Sequence, residues 1–503
     1  MPAASSPSPA GTPAGERLPE SRDPATGEVW KRYEVADADA VKAAVARARA
    51  AQPAWAALPA RVRAGAIEAF VQKLLARRAE AANILARENG KPAGEALGVD
   101  VGVTLALAEH FAKVTPRFLK PRWQRSAALM AWRKRVALVK EPYGVMGVIS
   151  PWNYPMFLAF GPLVGALAAG NRVFIKPSEF TPATSALIAK VVADTFSPDL
   201  VTVVTGGSDV GIAFSKLAFD HLVFTGSTSV GRIVMKAAAE NLVPVTLELG
   251  GKSPAIIGEG YSLKEAAEKI MFGRLFNAGQ TCVAPDYAVV PRAKRDAFVE
   301  ECKQAVKKLY PTLVDNADYT TIVNDRQHAR LKDLVAEAKA KGATVVEMNP
   351  ANEKLEGTRK MAPTLVLDGT DDMKVMQDEI FGPVLPVVAV DSLDEAIDYV
   401  NDRARPLALY YFDHDGDRID KVLQNTTSGG VTINDTGLHV IVDDLPFGGV
   451  GASGMGHYHA KEGFDTFCKK KSIFRQSRVS GTSMLRPPFK GAIDTFFRVM
   501  LGK

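Results

Sequence analysis

Pro244-Val-Thr-Leu-Glu248-Leu-Gly250-Gly251-Lys-Ser-Pro254, followed by Phe276-Asn-Ala-Gly279-Gln-Thr-Cys282-Val-Ala-Pro285, is the stretch that decides how this chain is read. The first half has the pattern of a buried strand ending in a Gly-Gly turn, with one carboxylate among apolar neighbours. The second half reads as the end of a helix running into a tight turn that presents one thiol. An ionised cysteine is a strong nucleophile. A carboxylate walled by Leu247 and Leu249 can have its pKa raised enough to act as a base near neutrality. Taken singly, each half also fits a plainer account, a core strand with a buried acid or a buried structural cysteine. The pair, in this order and about one βα unit apart, favours chemistry on a carbonyl.

Upstream, strand-like runs at Val145–Ser150, Arg172–Ile175, Leu200–Val204, Leu222–Thr225 and Val243–Leu249 alternate with helical stretches. That rhythm predicts a parallel sheet covered by helices on both faces, an α/β doubly wound fold. A second αβ series follows Pro254, with a helix from Leu263 to Asn277, strands near Ala288–Val290 and Thr344–Val346, and a helix from Leu393 to Asn401. It ends around Ser428–Asn434. Before the sheet, Asp23-Pro-Ala-Thr-Gly-Glu-Val29 reads as a turn. Helices are then expected at Asp37–Ala51, stopped by Pro53, at Ala60–Glu88, stopped by Gly90 and Pro92, and at Ala93–Val114. These three helices carry no visible chemistry.

Composition narrows the class. The length and apolar fraction suit a multidomain globular protein, and the net charge of +6 is mild for its size. Cys282, Cys302 and Cys468 are too scattered for a disulfide framework or a zinc site, so a reducing, cytoplasmic setting is expected. No apolar run is long enough to span a bilayer, and Met1–Glu20, rich in Pro, Ala and Ser, reads as a disordered leader. From Lys113 to Lys140 there are nine Lys or Arg and no acid. A solvated surface is the plain account of that patch; without a nucleic-acid module, no nucleic-acid partner is expected. Asp413-His-Asp415-Gly416-Asp417 has its glycine misplaced for a calcium loop, and His457 and His459 lack metal-ligand spacing. Both segments are expected to be solvated loops, and no metal is assigned.

Further motifs gain meaning from what they accompany. Pro151-Trp152-Asn153-Tyr154-Pro155 directly follows the first sheet strand; alone it reads as a structural turn. Ile175-Lys176-Pro-Ser178-Glu179 ends the second strand, where a doubly wound sheet holds an adenosine; a surface turn is the alternative. Phe224-Thr225-Gly226-Ser227-Thr228-Ser229 follows a strand and opens a helix, which can place N–H groups near a pyrophosphate. Asp378-Glu379-Ile-Phe381-Gly-Pro383 alone is an acidic turn. Leu445-Pro-Phe447-Gly448-Gly449 lacks the lysine of a phosphate loop.

Together, LELGGKSP and FNAGQTCVAP resemble the signatures of the aldehyde dehydrogenase superfamily, and the likeness runs from about Asp23 to Ser472. It implies a nucleotide-binding domain (21–130 and 145–252), a catalytic domain (253–434) and a small β oligomerisation element with the substrate-mouth loop (131–144 and 435–478), with 479–503 as a tail. The implied catalytic set is Cys282 as nucleophile, Glu248 as base, and Asn153 with the Cys282 N–H as oxyanion hole. Trp152, Lys176, Ser178, Glu179, Gly226, Ser227, Glu379 and Phe381 would hold NAD, with NADP as a second option that Glu179 disfavours. Tyr154, Phe157, Phe276 and Phe447 are expected to line the substrate pocket, with Phe464 nearby. GQTCVAPDY and HYHAKEGFDTF are most similar to class 3 members, above all bacterial coniferyl aldehyde dehydrogenases, whereas DPATGE resembles the class 1/2 type. The expected activity is oxidation of a hydrophobic, coniferyl-type aromatic aldehyde; the alternative is a fatty or medium-chain aldehyde. An idle binding protein on the same fold is disfavoured by the intact Cys282, Glu248 and Asn153. A homodimer is the favoured assembly. Ile493, Phe496, Phe497, Met500 and Leu501 form an amphipathic stripe, expected to cover the substrate entrance or a partner subunit, with peripheral membrane contact as the weaker alternative.

Overall fold

The computed structural model describes residues 20–33, 38–124, 135–476, 486–488 and 491–501. The leader and much of the basic stretch, 125–134, lie outside the described residues. The first sheet has six strands: five run parallel in the order Val245–Glu248, His221–Thr225, Val145–Ile149, Arg172–Lys176, Val201–Val203, and Gly454–Met455 adds antiparallel at the Val245–Glu248 edge. The His221–Thr225 and Arg172–Lys176 strands are buried throughout, as expected where helices cover both faces. Chain order reverses beside Val145–Ile149, so the loops after this strand and after Thr225 open a crevice at the carboxyl edge. The helix Pro155–Ala169, apolar on all sides, is buried along its whole length.

The second sheet runs Thr344–Glu347, Thr364–Leu367, Val384–Val390, Tyr287–Pro291, Pro254–Ile257, Ala408–Phe412, Gly430–Ile433. Only its Thr344–Glu347 edge strand is antiparallel. A third, antiparallel sheet joins Cys468–Arg475, Arg135–Pro142 and Arg122–Gln124. The Asp23 turn closes a small hairpin, with the Gly27 N–H donating to Asp23 O at 2.7 Å.

Several expected boundaries differ. The first helix runs through Pro53 to Ala56, and Ala57 N–H donates to the Pro53 carbonyl at 3.1 Å. A proline removes one donor, and neighbouring helical bonds and packing outweigh that loss here. The expected Ala60–Glu88 helix is two helices meeting at Arg77, whose side chain reaches Glu80 and Asp194, both at 2.8 Å. The Ala93 helix contains a π-helical stretch, Ala96–Val103, and continues past Val114 to Phe118. The Leu263 helix ends at Leu275 rather than Asn277. Neither decoy is a solvated loop: Asp413 is 1% exposed and accepts from Arg418 Nε at 2.7 Å, and His459 is 3% exposed. The tail forms the helix Ala492–Leu501.

Candidate active site

Cys282, the candidate nucleophile, is delivered by a strained turn. After Leu275 the chain passes through Asn277, Ala278 and Gly279 at φ of 51°, 51° and 76°. Left-handed backbone at a non-glycine residue costs about 1–3 kcal/mol, so the surroundings must over-determine it. They do. Glu95 Oε2 accepts from Asn277 N–H at 3.0 Å, Asn277 Nδ2 donates to Gln280 O at 3.1 Å, and Gln280 Oε1 accepts from Val323 N–H at 3.0 Å. Gly279 is needed for contact as well as conformation, since a Cβ there would lie 2.3 Å from the Gly382 carbonyl. Burial and the charges of Glu248 and Glu379 push the Cys282 thiol up, while the Cys282 and Val283 N–H groups favour its thiolate.

Glu248 ends its strand at 1% exposure, and its Oε1 has no hydrogen-bond partner. Burial raises its pKa well above the carboxylate range, opposed by the Gly449 N–H. The glycine-rich loop is tied here, because Gly454 and Met455 pair antiparallel with Glu248 and Leu247. Asn153 is 3% exposed and donates Nδ2–H to Gln280 O at 3.1 Å, two residues before the thiol. Tyr154 Oη lies 2.7 Å from Thr281 Oγ1.

Cys282, Glu248 and Asn153 face one cavity of about 920 Å³, together with Trp152, Gly226, Ser227, Glu379 and Phe381. The helix starting at Thr228 aims its N-terminus there, with Ser227 as its N-cap. Glu379 lies against Gly250, where a Cβ would sit 2.0 Å from Oε2. Burial, then Asp286, pushes the Glu379 pKa up to about 8. Trp152 and Phe381 meet edge to face at 5.6 Å. A sheet crevice, a helix N-terminus, a side-chain-free cradle at Gly250 and a carboxylate beside two aromatics fit a dinucleotide with its reactive ring near the thiol. Lys176, Ser178 and Glu179 do not line this cavity. They follow the adjacent strand, where Lys176 Nζ binds Glu179 Oε2 at 2.7 Å and Ser178 Oγ accepts from Phe180 N–H at 3.2 Å.

Tyr154, Phe157, Phe276 and Phe447 are also absent from the cavity wall. Tyr154, Phe157 and Phe447 belong to the buried cluster against which Phe276 and Cys282 pack. Phe464 instead meets Phe118 at 5.3 Å, beside Lys140 and the third sheet. Sequence reasoning missed His459, which stacks on Phe447 at 5.2 Å and lies 5.5 Å from Phe157. Its Nε2 and the neighbouring Tyr458 hydroxyl are buried without partners. It also missed Lys252, whose Nζ binds Asp286 Oδ2 at 2.6 Å and the Asp378 carbonyl at 3.1 Å, tying the Gly-Gly turn to the Glu379 segment. The supposedly silent helices, with the connection 90–92 between them, supply four polar side chains to the site's surroundings. Asn89 Nδ2 donates to Trp152 O at 2.5 Å and Lys91 Nζ to Asn153 O at 2.6 Å; Glu95 and Asp100 complete the set. Nothing in their helical spacing marks them.

A family model described as the aldehyde dehydrogenase family matches residues 12–473. A probable coniferyl aldehyde dehydrogenase of Pseudomonas aeruginosa is 52% identical over 406 residues, 81% of this chain and 84% of that one. Aldehyde dehydrogenase family 3 member A2 of Rattus norvegicus is 44% identical over 350 residues, covering 69% of this chain and 71% of the relative. Among solved structures, a Mycobacterium tuberculosis aldehyde dehydrogenase complexed with NAD+ superposes with a TM-score of 0.85 at 32% identity, covering 93% of this chain and 97% of its own.

Proposed function

The chain belongs to the aldehyde dehydrogenase family, and from that premise we propose that its substrate is a coniferyl-type aromatic aldehyde bearing a ring hydroxyl. The reaction is NAD(P)-dependent oxidation of an aldehyde to its carboxylic acid. The substrate class rests on the surroundings of the thiol: Cys282 packs against the buried aromatic cluster of Tyr154, Phe157 and Phe447, with Phe276 beside it, so the tail of an aldehyde held at Cys282 would enter this cluster rather than the cofactor cavity. His459 faces the Val440 carbonyl through one ring nitrogen, leaving Nε2 as an unpaired acceptor among aromatic rings. Burial pushes its pKa down to about 3, so the ring is neutral near pH 7. An unmet buried acceptor costs about 1–3 kcal/mol. A phenolic hydroxyl would satisfy it; an alkyl chain would not. The name of the Pseudomonas aeruginosa relative agrees with this reading.

In this mechanism the Cys282 thiol loses its proton to solvent, the Sγ thiolate adds to the aldehyde carbon, and the carbonyl oxygen becomes an oxyanion. Asn153 Nδ2–H and the Cys282 N–H donate to it, each such donor being worth about 3–4 kcal/mol. When bound, NAD(P) would supply the hydride acceptor, and loss of hydride from the former carbonyl carbon leaves a thioester on Cys282. Glu248 takes a proton from water, the hydroxide adds to the thioester carbon, and the C–S bond breaks to release the acid and the thiolate. The raised pKa of Glu248 makes it a stronger base for that step. Glu379 would hold the nicotinamide-ribose hydroxyls, Trp152 and Phe381 would pack beside the ring, and Gly226 and Ser227 would hold the pyrophosphate. Lys176, Ser178 and Glu179 would hold the adenosine ribose, with Glu179 favouring NAD over NADP. A homodimer in the cytoplasm completes the reading. Cys282, Cys302 and Cys468 are free thiols, and among the described residues no helix is long and apolar enough to cross a membrane.

The test is kcat/KM for coniferyl aldehyde, cinnamaldehyde and a C6–C10 alkanal series, with NAD and with NADP. Coniferyl aldehyde should exceed cinnamaldehyde by roughly tenfold, the worth of about 1.4 kcal/mol, and His459→Phe should erase that margin. Values that instead rise with alkanal chain length would move the assignment to fatty aldehydes.

A further inference from the structure

We propose that the buried Lys91–Asp100 ion pair is a positioning device for Asn153, setting the oxyanion donor from outside the substrate site. The inference rests on Asn153 serving as that donor. Both side chains are completely buried, with Lys91 Nζ 2.7 Å from Asp100 Oδ2. The same ammonium donates to the Asn153 carbonyl at 2.6 Å and lies 4.3 Å from the Tyr154 ring centroid. Carboxylate, carbonyl and ring account for three directions around a group that has three N–H bonds, so Lys91 is a tether rather than a proton carrier. Asp100 faces the Met156 and Phe157 backbone N–H groups in the first turn of the Pro155–Ala169 helix. The ion pair therefore bonds the chain just before Tyr154, through Lys91, and borders it just after, through Asp100.

Asp100 sits in the π-helical stretch Ala96–Val103, and π-helical turns inside α-helices are frequent at functional sites. A buried ion pair is weak as a stabilising device, because desolvation offsets its attraction. Its retention beside the oxyanion loop fits a demand for geometry. Fixing the Asn153 peptide fixes the direction of its Cα–Cβ bond, and with it the arc on which Nδ2 can lie. A displacement of about 1 Å at such a donor costs up to roughly a hundredfold in rate. The loss should fall on kcat, since the oxyanion exists only after attack.

The experiment is a mutant cycle on the full-length protein. Lys91→Met with Asp100→Leu replaces the pair by apolar groups of similar length, the exchange most compatible with folding. In this double variant the NAD dissociation constant should stay within about twofold of wild type, while the single-turnover rate of reduced-cofactor formation falls roughly ten- to a hundredfold. On an Asn153→Ala background the same double substitution should cost less than about threefold, because no donor remains to be placed. An equal loss on both backgrounds, or no loss on either, overturns the role of the pair. If Asn153→Ala alone leaves the rate unchanged, the oxyanion assignment itself fails, and that outcome is distinct. Should the double variant not fold, Asp100→Asn keeps the shape while removing the charge, and it enters the same cycle with the same expected non-additivity.

Discussion

Gly250→Ala isolates the nicotinamide-ribose clamp from the rest of the molecule. Gly250 has no left-handed φ, so alanine is conformationally admissible. Its Cβ, however, would lie 2.0 Å and 2.2 Å from the two carboxylate oxygens of Glu379. The obstructing atoms are the far end of a flexible side chain, so the carboxylate swings away and the backbone stays. The cost then falls on the cofactor. A hydrogen bond to a charged group is worth about 1.5–3 kcal/mol net, which at 1.4 kcal/mol per decade predicts NAD binding weaker by roughly ten- to 150-fold. The assay is calorimetric or fluorescence titration of the apoprotein with NAD above about pH 8, where Glu379 is anionic, paired with a thermal melt. The melting temperature should move by less than about 2 °C. Unchanged NAD affinity and kcat would refute the placement of Glu379 on the ribose. A large drop in melting temperature would refute the claim that only a side chain moves.

Three further outcomes follow from the same geometry. Asn153→Ala should lower kcat by about 10²–10³ with NAD affinity retained, measured by single-turnover absorbance of the reduced cofactor. Glu248→Gln should leave hydride transfer but stall hydrolysis, giving a burst of one reduced cofactor per active site followed by slow turnover, with the acylated protein visible by mass spectrometry. NAD should bind more tightly as pH rises through about 8, because Glu379 is neutral below that value and becomes an anionic acceptor above it. In Glu379→Gln that pH dependence should flatten.

The reach of the sequence was uneven, and the reason is the range over which each feature acts. Glu248 and Cys282 each lie within a few residues of the turn that presents them, so their local pattern already carries the strand end, the glycine turn and the thiol that follows it. The parallel sheet was equally legible, because strands buried on both faces must be apolar runs. Helix ends were less so. Pro53 lies inside its helix and Arg77 divides one, since tertiary contacts can outweigh a local propensity of about 1–3 kcal/mol.

The sequence by itself determined the α/β class and singled out Cys282, Glu248 and Asn153, which face one cavity; both depend on short-range pattern. Only the tertiary structure decided that Lys91 holds the Asn153 carbonyl across 62 positions, that Gly250 leaves room for Glu379, and that His459 is a buried acceptor among aromatic rings. Those facts depend on which distant backbones pack together. Hydrophobic periodicity marks the face that is buried, but it does not say which buried polar atoms will meet there.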